Sequence, residues 1–68
     1  MKPMNARQAE AHLRAHGFIR SHGVGSHRGW FNPVTNRYVV VPHHGNKTLP
    51  QGTLNAIFDQ AGIPKPPR

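Results

Sequence analysis

No cysteine occurs in the 68 residues of this chain, so a small hydrophobic core has to hold it together unaided. A chain near this length buries only about 60% of the surface that its unfolded form exposes. It has room for one domain, with a core one thin layer deep. The missing thiols also exclude disulfides, thiolate metal sites and a cysteine nucleophile. No apolar run reaches the length of a membrane span, and the first residues lack the apolar stretch of a signal peptide. The expectation is a cytoplasmic domain that stays off the membrane.

Charge narrows the partners. Nine Lys and Arg face two acids, Glu10 and Asp59, for a formal net charge of +7. Six His add latent positive charge in mild acid. A small domain so poor in acids attracts polyanions, which points to RNA or DNA ahead of a merely solvated basic surface. An acidic protein partner fits the same charge.

The pattern along the chain reads as helix, three short strands, helix and tail. The first helix is expected over 5–16. Asn5 is a good N-cap with Gln8 three residues on, and Ala6, Ala9 and Leu13 recur at helical spacing. Gly17 sits where the helix should stop. Strands are expected over 18–21, 26–32 and 37–41, with turns at Gly23-Val24-Gly25 and Pro33-Val34-Thr35-Asn36. A polar loop over 43–47 leads to a second helix that starts near 48–50 and ends near Ala61. Thr48 and Gln51 are its expected capping pair, and Leu54, Ile57, Phe58 and Ala61 form one apolar stripe. Gly62 stops it, and Ile63 can fold back on Phe58. Residues 1–63 are thus the domain, and 64–68 a Pro-rich flexible tail.

These elements make an α+β two-layer sandwich of order α-β-β-β-α. A three-stranded antiparallel sheet carries both helices on one face and leaves the other open. Strand alternation assigns the faces. Trp30 is the largest apolar group, so its face should be the core, with Val39, Val41, Ile19, Leu54, Ile57 and Phe58. His27 then falls on the open face with Gly29 and Phe31, while Arg28 shares the Trp30 face.

The chemistry available is narrow. Two carboxylates on separate expected helices supply few ligands for metal-assisted phosphoryl transfer. Ser26 and His27 are neighbours on a strand and point apart, which argues against a Ser–His–Asp triad. His12 and His16 lie one helical turn apart, and His43 and His44 are adjacent; neither pair is expected to hold a metal. Imidazole as acid or base, with Lys and Arg for phosphate charge, remains. That set suffices for RNA transesterification through the 2′-OH without a metal or other cofactor.

Three segments carry a more specific signal: Gly25-Ser26-His27-Arg28, Val39-Val40-Val41-Pro42-His43, and Leu49-Pro50-Gln51-Gly52-Thr53-Leu54 followed by Gln60-Ala61-Gly62-Ile63. In their order and spacing the chain resembles the HicA toxin family, the toxin half of HicA–HicB type II toxin–antitoxin modules. The resemblance runs from Gly17 to Ile63. It implies a fold like the double-stranded-RNA-binding domain and an endoribonuclease acting on mRNA (an mRNA interferase). It also implies His27 as the catalytic residue and a HicB-type antitoxin that covers the site. Family members often carry a second His or an aromatic after the motif His, and a His before the turn proline. Arg28 and Asn32 stand there in this chain.

Three readings follow for function. The first is the metal-independent endoribonuclease toxin. The second is a non-catalytic module that binds double-stranded RNA by shape and phosphate contacts. RNA contacts are assigned to Ser26, Arg28, Arg20, Arg37, Lys47 and His43, whereas Lys2 and Lys65 are expected to be solvated surface charges. The third is a protein-interaction module in which Phe31, Tyr38 and Val40 form an apolar band on the open face for the antitoxin. No small-molecule ligand is expected under any of them.

Overall fold

The computed structural model describes residues 1–66. The element order is α1 Ala6–Ala15, β1 Ile19–Val24, β2 His27–Asn32, β3 Arg37–Pro42 and α2 Gln51–Ala61. The strands pair antiparallel in the order β1-β2-β3, and α1 and α2 both lie against β3. This is the α-β-β-β-α sandwich with one open sheet face. No helix among the described residues is long and apolar enough to cross a membrane.

Local chemistry explains the helix ends. The Asn5 side chain accepts from the Gln8 amide at 3.0 Å, and the Gln8 side chain accepts from the Asn5 amide at 2.9 Å. Two otherwise unpaired donors of the first turn are satisfied in this way. The second helix starts differently from expectation. Its N-cap is Pro50, with no side-chain cap, and Thr48 instead pairs with Asn5 in an isolated bridge. Proline has no amide proton to leave unpaired there, and Thr48 is used to tie the two helix starts together. Gly17 and Gly62 take φ of +91° and +67°, which L side chains avoid. Beyond Gly62 the amide of Ile63 reaches the Phe58 carbonyl at 3.4 Å, and Ile63 packs partly buried against the core. Within the tail, Lys65 lies 2.9 Å from Asp59 in an exposed pair. Residues 67 and 68 of the expected flexible tail lie outside the described residues.

The core gathers Met4, Ala6, Ala9, Leu13, Phe18, Trp30, Val39, Val41, Leu49, Leu54, Ile57, Phe58 and Ala61. Trp30 pairs with Val39 and is 1% exposed, as its expected face requires. Ile19 corrects the reading. It is 57% exposed, and Phe18 is buried in its place. Ile19 pairs with Phe31, so it belongs to the open face, while Phe18 precedes the strand and is free to turn under the helices. The β1 strand also runs on to Val24, because a bulge between Ser21 and Val24 absorbs Gly23 into the ladder.

The turn after β2 is held by Asn32. Its side-chain carbonyl accepts from Val34 at 2.9 Å and Thr35 at 3.3 Å, and its amide donates to the His16 carbonyl at 3.1 Å. One buried side chain thus joins the turn to the end of α1.

The Phe18/Ile19 correction is testable by urea denaturation. Phe18→Ala should cost about 3–5 kcal/mol, the usual range for truncating a buried phenylalanine. Ile19→Ala should stay within about 0.5 kcal/mol of wild type.

Candidate functional site

The register arranges the open face as a grid. Ile19, Phe31 and Tyr38 form one row, Ser21, Gly29 and Val40 the next, and Val24, His27 and Pro42 the last. His27 is exposed on this face, clear of the core. An open cleft of about 370 Å³ lies beside it, lined by His22, Gly23, Val24, His27, Tyr38 and Val40.

Gly29 at the centre of the grid lets Tyr38 lie where it walls that cleft. A Cβ there would collide with the Tyr38 hydroxyl and the His22 carbonyl. Without one, Tyr38 lies across the sheet and its hydroxyl donates to the His22 carbonyl at 2.8 Å. A Cβ at Gly23 would likewise strike the His27 carbonyl. Two glycines therefore let the bulged strand and the tyrosine close around His27.

A second cluster lies on the helix side. Glu10, the only acid on α1, is 4% exposed. It accepts from Trp30 Nε1 at 2.7 Å and lies 2.9 Å from His43 Nε2. Arg28 Nη1 stands 3.9 Å from the same carboxylate. The guanidinium groups of Arg14 and Arg20 sit 5.1 and 5.8 Å from the Trp30 ring centre, within cation–π range. His43 links this cluster to the His27 motif, because its amide donates to the Ser26 carbonyl at 2.7 Å. A buried carboxylate thereby anchors the segment that pairs with the turn before His27.

The residues expected to meet RNA are divided by this geometry. Ser26 is exposed at the start of the His27 strand. Arg28 and Arg20 are on the helix side of the sheet, around Glu10 and Trp30. Lys47 is exposed in the loop before α2. Arg37 is opposite Asn32, five strand positions from His27 and roughly 16 Å away. Its guanidinium donates to the Gln60 carbonyl at 3.1 Å, against the end of α2. The His43 ring faces Glu10 and is mostly buried. Among the described residues no Lys or Arg lines the cleft itself, so its walls are more apolar than the expected basic face. Of the apolar band, Tyr38 and Val40 are exposed and Phe31 is half-buried.

A family model described as HicA toxin of bacterial toxin-antitoxin matches residues 6–63. The chain belongs to the HicA toxin family. A comparison with curated proteins returns no match. As a HicA chain it is the toxin of a toxin–antitoxin system and has an antitoxin partner. The matched span contains all five elements, the His27 cleft and the Glu10 cluster.

His22 and Glu10 carry geometry that the sequence reading gave no role. Glu10 has a faint signal, since it stands beside the Ala6–Ala9–Leu13 stripe at helical spacing from both neighbours. Its partners lie 20 and 33 residues away, beyond any local pattern.

Glu10→Ala leaves a buried indole N–H and the His43 ring without their acceptor. It should cost about 2–5 kcal/mol in urea denaturation. Glu10→Gln, which keeps an acceptor oxygen, should cost less.

Proposed function

We propose that this HicA chain is an endoribonuclease that cleaves mRNA in the cytoplasm by metal-independent transesterification. His27 serves as its acid and base, and a HicB-type antitoxin restrains it in a type II module. The observation that carries the reading is His27 itself. It is exposed on the sheet face away from the helices, beside a cleft, with no part in the core. The family supports the reaction class, and the +7 charge supports a polyanionic substrate.

The chemistry asks little of the protein. His27 takes the proton from a ribose 2′-OH. The O2′ attacks the adjacent phosphorus, the O2′–P bond forms and the P–O5′ bond breaks. The same imidazole returns the proton to O5′, leaving a 2′,3′-cyclic phosphate and a 5′-hydroxyl. Lys47 is a proposed phosphate contact, Ser26 offers a hydroxyl at the strand start, and Arg28 and Arg20, on the helix side, are proposed contacts for phosphates flanking the one attacked. Arg37 and His43 are given holding roles, at the end of α2 and at Glu10. The two acidic side chains are engaged, Glu10 with Trp30 and His43, Asp59 with Lys65, so the reading routes no step through a carboxylate. Phe31, Tyr38 and Val40 are the proposed ground for the antitoxin, which would cover His27 by seating on the open face.

A gel assay with purified protein tests this. Wild type should cut RNA equally with and without EDTA and leave the 2′-deoxy substrate intact. His27→Ala should lose at least about 100-fold in rate, the lower end for acid–base catalysis, with unchanged denaturation. His27→Ala cutting at the wild-type rate removes the proposal. Duplex RNA bound with a steep salt dependence and never cut would favour the non-catalytic binder.

A further inference from the structure

We infer that the Tyr38 ring is a stacking platform for a nucleobase beside the His27 cleft. The inference rests on the ribonuclease reading for its substrate class. It adds a base subsite, with Tyr38 as the contact residue.

Four observations converge on it. Tyr38 is 49% exposed and lies on the face away from the core, so folding does not require its exposed surface. It lines the same cleft as His27 and Val40, with its hydroxyl end filling the space over Gly29. Its orientation is fixed at the far end by the hydrogen bond from its hydroxyl to the His22 carbonyl. The cleft, at about 370 Å³, falls within the size range of small-ligand sites and has apolar walls at Val24 and Val40.

The physics favours a flat aromatic guest. Single-stranded RNA is recognised largely by unstacked bases laid on aromatic side chains. A ring already seated on a glycine and tied at its hydroxyl loses little freedom when a base stacks on it. Among the described residues no Lys or Arg lines this cleft, so it suits the uncharged base, and the phosphates are left to cations outside it. A nucleobase on the ring would keep its strand on the His27 face of the sheet, because Tyr38 and His27 line one cleft. Because Tyr38 lies in the apolar band, an antitoxin seated there would displace the base directly.

The test separates base stacking from catalysis. Wild-type protein is titrated with a short 2′-O-methyl oligoadenylate, which lacks the attacking hydroxyl, and with an abasic strand of the same length and charge. NMR should show ring-current shifts of the Tyr38 ring protons with the first strand and none with the abasic strand. Tyr38→Leu should bind the intact strand about 5- to 150-fold more weakly and the abasic strand unchanged. Tyr38→Phe should stay near wild type, since the ring remains. Loss of cleavage with these shifts intact would remove the nuclease reading and leave the base subsite standing. The inference is overturned by unshifted Tyr38 protons, which would leave the ring to protein contact alone. It is also overturned if Tyr38→Phe binds as weakly as Tyr38→Leu, because the hydroxyl tie would then be what matters. The NMR titration needs no variant, so a Tyr38→Leu that fails to fold still leaves the inference open to refutation.

Discussion

The burial of Trp30 sets the phase of the whole sheet. In a chain with one tryptophan and three phenylalanines, its ring is the largest block of the core. Side chains alternate along a strand, so placing Trp30 under the helices sends His27, Gly29 and Phe31 to the other side. A one-residue slip of β2 would bury the imidazole and expose the indole. The indole N–H makes such a slip costlier, because it has a partner only at Glu10. One hydrogen bond from α1 to β2 therefore helps to fix which side of the sheet carries His27.

Glu10 is an economical choice in a chain this basic. It is the acid buried among several cations, with Arg28 and His43 on one side and the guanidinium groups over Trp30 nearby. Its carboxylate is paired on both oxygens, and among the described residues no buried side-chain nitrogen or oxygen lacks a partner. The cluster keeps much of the positive charge on the helix side and at the sheet edge. The open face keeps its aromatic and aliphatic character. That division suits a substrate with a charged backbone and flat, neutral bases.

Much of this fold was legible in the sequence because its signals are local. The Asn5–Gln8 capping box, the Leu54–Ile57–Phe58–Ala61 stripe and the β-branched run in β3 need only neighbours within one turn or one strand. The exposure of His27 followed from alternation about Trp30. Four features were not legible. The Phe18/Ile19 exchange hinges on a strand starting one residue later than the pattern suggests. Met4 and Leu49 enter the core from outside regular elements, through the pairing of Asn5 with Thr48. Tyr38 over Gly29, and Glu10 between Trp30 and His43, depend on contacts between distant segments. The candidate site was therefore legible as one histidine on one face, and illegible as a cleft.

The proposal that joins membership of the HicA family to the His27 geometry is that the imidazole moves a proton to and from ribose and leaving oxygen. The ends of the cleaved RNA report on it most directly. Mass spectrometry of the fragments should find 2′,3′-cyclic phosphates paired with 5′-hydroxyls, as attack by the 2′-oxygen requires. Fragments ending in 3′-hydroxyls and beginning with 5′-phosphates would show that water attacked the phosphorus, and would contradict the account.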